Sequence, residues 1–129
     1  MVNVNDLIGV RFVNHGRSSL TGFDCYGLAI EVSKRLGHTL DDLWYEKSNP
    51  DTFSSNSDSV ITRMSDRVEE TTEQKEGNLI VFFDERGRMI HIGVILEEGV
   101  FIHADIGGVR IVTLSNYYRK NWKVYSWRQ

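Results

Sequence analysis

Apolar residues recur at helical spacing in the first part of this chain and at strand spacing in the last. Over 25–36, Leu28, Ile30, Val32 and Leu36 are set against Glu31, Lys34 and Arg35 in a pattern that predicts an amphipathic helix. Asp24 supplies an N-cap and Gly37 a C′ residue. A shorter helix is expected over 3–8, followed by a loop. The apolar pattern then lapses over 45–58, where Ser, Asn and Asp surround the only proline, Pro50, and predict a mobile surface loop. A second helix is expected over 59–70, with Val60, Met64 and Val68 on one core-facing stripe. Strands are predicted over 79–83, 90–96, 100–104, 109–113 and 123–127. Helices followed by an antiparallel sheet describe an α+β fold, N-terminal helices packing on a central sheet, in one domain over 1–129.

Two of the strands form a hairpin. The three-residue loop Glu97-Glu98-Gly99 suits a turn closed by a left-handed glycine, which puts Leu96 opposite Val100, Gly93 opposite His103 and His91 opposite Asp105. In that register His91 and His103 share one face as diagonal neighbours. Ile92, Val94, Leu96, Ile102 and Ala104 fill the other face, toward the core. A two-residue loop would set the histidines on opposite faces.

This register gives the only cysteine, Cys25, a setting. It stands in the first turn of the predicted helix, where free backbone N–H groups and the helix dipole favour a thiolate and lower the thiol pKa, and where the sulfur can face a cleft. A lone cysteine serves as readily as a small buried hydrophobe, and a lone strand histidine is ordinarily a half-buried ring, so neither carries an assignment alone. Together, Cys25, His91 and His103 make a nucleophile, a base and a polar group able to hold the base's tautomer, with Asp105 the runner-up for the orienting role. One cysteine and dispersed histidines lack the paired short spacings of a zinc site, so no metal or other cofactor is called for.

The chain carries 15 Lys and Arg against 18 Asp and Glu, a net charge of −3, which argues against nucleic acid as a partner. Residues 1–6 lack a signal-peptide pattern and no later segment has the length and apolarity of a membrane span, so cytoplasmic synthesis without a membrane partner is expected. A single cysteine excludes an internal disulfide.

Four stretches resemble a known family: Phe23-Asp24-Cys25-Tyr26-Gly27-Leu28-Ala29, Gly77-Asn78-Leu79-Ile80-Val81-Phe82-Phe83, His91-Ile92-Gly93-Val94 and Phe101-Ile102-His103-Ala104. In order and spacing they are similar to the NlpC-type, papain-like cysteine peptidases that cut peptidoglycan stem peptides. The resemblance implies a papain-like fold, with Cys25 as nucleophile, His91 as general base and later acid, and His103 as orienting residue. It implies hydrolysis through a thioester of the bond between D-glutamate and the diamino acid. Asp24 becomes a candidate for holding the substrate amine as well as a helix cap. Tyr26, where many members have Ser, brings a phenol to the rim of the site as a second substrate-binding candidate, while Gly27 and Leu28 are packing residues. The family's upstream Tyr aligns near Phe12 or Val13, which leaves oxyanion stabilisation to the Cys25 N–H and a neighbouring group, with the 15–18 segment a possible contributor. Asn78 stands for the family's Asp at the strand entry, with an effect on a turn.

The run Gly16-Arg17-Ser18, a spacer and Gly22-Phe23-Asp24-Cys25 is most similar to the branch carried by phages and prophages as a tail peptidase. That implies stem peptides and phage tail proteins as partners, and action at the cell wall, reached through lysis or a virion. A cell-wall amidase on the same fold, or a tail assembly component with little catalytic activity, are the competing expectations.

Overall fold

Asp24 starts the first helix and Gly37 ends it. The Asp24 carboxylate accepts the Gly27 N–H at 2.7 Å, the third N–H of α1 (Cys25–Arg35). At the other end the His38 N–H donates to the Ser33 carbonyl and the Gly37 N–H to that of Lys34, with Gly37 at φ +86°, a Schellman closure of the last turn. The buried face of α1 carries Leu28, Ala29 and Val32; Ile30 and Leu36 are only half-buried.

The computed structural model describes residues 1–45 and 57–129. Among these the remaining elements are β1 (Arg17–Ser18), β2 (Gly22–Phe23), α2 (Ser57–Met64), β3 (Val68–Thr71), β4 (Leu79–Phe83), β5 (Met89–Glu97), β6 (Val100–Asp105), β7 (Gly108–Thr113) and β8 (Trp122–Trp127), with 3-10 turns at Asn5–Leu7 and Leu114–Asn116. β1 and β2 pair with each other, and the other six strands form one antiparallel sheet in the order β3-β8-β4-β5-β6-β7. The result is the expected mixture of helix and antiparallel sheet. Among the described residues no helix is long and apolar enough to cross a membrane.

The five expected strands are present, within a residue or two of their predicted ends. The helices differ more. The segment expected as a helix over 3–8 makes only a 3-10 turn, because β7 takes over the chain directly after it: the Gly9 N–H donates to the Val109 carbonyl and the Val109 N–H to that of Val10. The helix expected over 59–70 stops at Met64, and Val68 opens β3, which pairs along β8 from Val68↔Trp127 to Thr71↔Val124. Val60, Met64 and Val68 are nevertheless all buried, so the stripe is core although two elements share it. The loop expected over 45–58 falls for the most part outside the described residues; Tyr45, at its start, is buried.

Each face of the large sheet has its own core. On one, α1 packs with Met89, Ile92, Val94, Leu96, Ile102 and Ala104. On the other, Ile80, Phe82, Ile95, Phe101, Leu114, Tyr117 and Val124 form a second cluster. Asn78 leads into β4 through a turn, its backbone N–H donating to the Lys75 carbonyl and its side-chain amide to that of Glu73.

Candidate functional site

The β5–β6 hairpin sets the histidines. Its loop has only two residues, Glu98 and Gly99, closed by the pair Glu97↔Val100 with Gly99 at φ +77°. A two-residue loop alone would put the histidines on opposite faces, but a bulge between Ile95 and Glu97 restores the expected register, so that Val94 opposes Ile102. Leu96 is therefore the bulged residue and not the partner of Val100. The ladder pairs stop at Val94↔Ile102, so the expected pairings of Gly93 with His103 and His91 with Asp105 are not made, although both histidines face the same side.

There the two rings meet at 86°, and His91 Nε2 lies 2.7 Å from His103 Nδ1. Phe82, Phe101 and Tyr117 wall the pair, and Tyr117 contacts both rings. His91 is 1% exposed and His103 0%. Burial drives both imidazoles toward the neutral form: His91 falls well below the ordinary histidine value, with the neighbouring His103 and Arg119 adding to the effect. His103 falls to about 4, burial outweighing the opposing attraction of Asp105.

Cys25 reaches the residue next to His91. The backbone N–H groups of Ile92 and Tyr26 both favour its thiolate. The expectation of an acidic, cleft-facing thiol is not met, since Cys25 is 2% exposed and burial pushes the thiol up. The Asp24 charge raises it further, and the two N–H groups and Arg119 offset only part of this. The helix terminus acts in the expected direction, but desolvation is the larger effect.

Asp24 is fully buried, and among the described residues four donors reach its carboxylate. Oδ1 takes the Gly27 N–H and Arg17 Nη1, at 2.7 and 2.9 Å. Oδ2 takes the His15 N–H at 3.0 Å and the Tyr45 hydroxyl. His15 gains that position from a left-handed backbone, φ +60°, unusual for a residue with a side chain. A substrate amine would have to compete with four donors for this carboxylate, so the cap role is the one its contacts serve. Tyr26 is wholly buried rather than at the rim, its hydroxyl donating to the Asp41 carbonyl at 2.7 Å, because its place in the first turn of α1 turns it inward against Tyr45. Gly27 is the packing residue expected: a Cβ there would lie 1.9 Å from the Gly16 carbonyl oxygen.

The 15–18 segment thus anchors Asp24. Arg17 and Tyr45 escaped the sequence reading as members of this cluster, as did Tyr117 and Arg119 beside the histidines. All four come from short strands or irregular segments, where no periodicity signals which way a side chain points. Asp105, expected as an alternative orienting residue, lies beyond the pair: its Oδ2 is 3.6 Å from His103 Nε2. Among the described residues no group of three or more His, Cys, Asp and Glu side chains is placed to hold a metal ion.

The arrangement offers a buried thiol beside a strand whose histidine is hydrogen-bonded to a second histidine, a set suited to acyl transfer. No match is found among curated proteins. Residues 9–128 match the model of the NlpC/P60 family, a span that takes in Cys25, both histidines and the sheet holding them. With nearly the whole chain matched, and with a mixed antiparallel α+β fold that fits it, the chain belongs to the NlpC/P60 family, whose members are typically cysteine peptidases acting on peptidoglycan.

Proposed function

We propose that the protein is a cysteine endopeptidase that hydrolyses peptidoglycan stem peptides, with Cys25 as nucleophile, His91 as general base and acid, and His103 as the residue that orients His91. The observation that carries the reading is the 2.7 Å contact between His91 Nε2 and His103 Nδ1, one residue from Ile92, whose backbone N–H favours the Cys25 thiolate. With Nε2 engaged, Nδ1 is the His91 nitrogen left to exchange a proton with the thiol.

In this reading both partners rest neutral. The thiol proton passes to His91 Nδ1 as sulfur bonds to the scissile carbonyl carbon, and the tetrahedral adduct collapses to a thioester as the leaving amine takes the proton from His91. Water, deprotonated by the same nitrogen, then attacks the thioester; the product acid leaves and the proton returns to sulfur. In this reading the Cys25 backbone N–H, at the start of α1 where no intrahelical acceptor exists, serves the oxyanion. Neutral rest matters because a buried thiolate would carry a large desolvation cost before substrate arrives.

The bond in this reading is that between D-glutamate and the diamino acid, and the setting is a phage or prophage tail. Mass spectrometry of stem peptides and whole peptidoglycan incubated with wild type and with Cys25→Ala tests it. New fragments ending at D-glutamate with wild type alone are expected. Fragments cut elsewhere would reassign the bond, and no cleavage of either material would reject the enzymatic role. The tail setting is tested separately by peptide mass spectrometry of purified particles, from which the chain's absence would count against it.

A further inference from the structure

We propose that Asp105, clamped by Arg110, is a positioning residue that fixes the tautomer of His103 and thereby selects which nitrogen His91 offers the thiol; the inference rests on the reading of Cys25 and His91 as the reacting pair. A 2.7 Å contact between two neutral imidazoles has two tautomeric solutions. In one, His91 Nε2–H donates to His103 Nδ1, which leaves a lone pair on His91 Nδ1, as proton uptake from the thiol requires. In the other, His103 Nδ1–H donates to His91 Nε2, so His91 carries its hydrogen on Nδ1 and cannot accept. Nothing in the pair itself chooses between them, so a third group has to.

The far nitrogen of His103 is where that choice is made. Among the described residues Nε2 is buried with no hydrogen-bond partner, and Asp105 Oδ2 stands 3.6 Å away. That is beyond a hydrogen bond, by about half an ångström. An ionised carboxylate only accepts, so it favours hydrogen on Nε2 and hence a lone pair on Nδ1. One carboxylate thereby sets the state of all four ring nitrogens. Its own geometry is fixed from the other side: Arg110 Nη2 contacts both oxygens, at 2.8 and 2.7 Å, and the Gly107 N–H donates to Oδ1 at 3.0 Å. Oδ1 thus holds two donors, while Oδ2, toward His103, holds one. The backbone makes this a built arrangement: Asp105↔Gly108 and His103↔Arg110 are ladder pairs at the closed end of the β6–β7 hairpin, so clamp and ring ride on one rigid turn. The other groups facing the pair, Arg119 and Tyr117 from the segment before β8, supply positive charge and an aromatic wall; neither accepts from His103 Nε2 in this geometry.

The experiment reads tautomers directly, by long-range proton–nitrogen correlation on histidine-labelled protein, together with the rate of Cys25 alkylation by iodoacetamide across pH 5–9. Hydrogen on Nε2 of both His91 and His103 is expected in the wild type. In Asp105→Asn, Arg110 holds the amide oxygen and turns the amide NH2 toward His103, so His103 is expected to move its hydrogen to Nδ1 and alkylation at pH 7 to fall by about tenfold or more. Asp105→Glu should restore part of the rate. Arg110→Gln, at a half-exposed side chain, keeps the fold while loosening the clamp, and mixed tautomers with a smaller loss of rate are expected. Unchanged tautomers and alkylation within twofold of wild type in either the Asn or the Gln variant would overturn the proposal. Failure of the peptidase reading has a different signature, wild type inert on peptidoglycan while its tautomers and their response to Asp105→Asn stand as stated.

Discussion

The buried histidine pair should make the fold sensitive to acid in a way that can be calculated. Above pH 6.5 both rings are neutral in folded and unfolded chain alike, so they add nothing to the pH dependence. Below 6.5 the unfolded chain binds protons that the native protein refuses, His103 until about pH 4 and His91 well below its ordinary value too. Both folded values are lowered, so the stability present above 6.5 is lost as pH falls. A fall from 6.5 to about 4 is worth about 3 kcal/mol for His103 alone, and His91 adds to it with the same sign. Against a total of about 5–15 kcal/mol for a domain, that is enough to bring the acid transition into reach. Urea unfolding at pH 7, 6, 5 and 4.5 should be compared between wild type and His103→Asn, whose amide oxygen can replace Nδ1 as acceptor for His91. The carboxylates common to both proteins cancel in the difference. The variant should start less stable at pH 7, and its slope between pH 6 and 4.5 should be shallower by about 1.4 kcal/mol per pH unit, the loss of one titrating site. Parallel curves would mean that His103 is protonated as readily in the native protein as in the unfolded chain, and so that its burial does not hold it neutral.

Two further outcomes follow from the cluster around Asp24. Gly27→Ala drives a methyl group into the Gly16 backbone, which cannot turn aside as a side-chain tip can, and should cost about 3 kcal/mol in thermal or urea unfolding; a loss under about 1 kcal/mol would show that the β1–α1 contact yields. Tyr45→Phe keeps the ring packing on Tyr26 and His15 but removes a donor to the buried Asp24 carboxylate, for an expected loss of about 2 kcal/mol by urea unfolding, whereas a neutral result would mean water takes the hydroxyl's place.

What the sequence made legible was whatever local chemistry dictates. A capping carboxylate at Asp24 and a left-handed glycine at Gly37 bound α1 as expected, and the run 79–83 is a strand to the residue. The hairpin register was legible for a subtler reason. The two-residue turn and the bulge at Leu96 were not readable separately, but together they have the same effect on face as the expected three-residue loop, so His91 and His103 were located together. Tertiary pairing was not legible: Val68 has the spacing of a helix and the β-branched chemistry of a strand, and the free edge of β8 decides between them. The partners of Asp24 were out of reach for a related cause. Arg17 and Tyr45 are 28 residues apart and converge on one carboxylate only because β1 and the chain after α1 pass the same helix end.

The acidity of Cys25 shows where a local rule gives way. Position at a helix N-terminus is a property of the sequence, and it does act, through the N–H of Tyr26. How far the sulfur sits from water is a property of the whole fold, set by β5 as much as by α1, and it reverses the sign. The same burial lowers both histidines, so the thiol and the two imidazoles are shifted in opposite directions, each toward its neutral form. A thiolate–imidazolium pair formed in advance would need both shifts undone at once. Proton transfer in step with attack needs neither, because charge then appears only as the carbonyl carbon accepts it, and a preorganised N–H is most effective where water is already excluded. On the role proposed for Cys25, the desolvation that makes it a weak acid thus favours a nucleophile uncovered by its substrate over one that waits ionised.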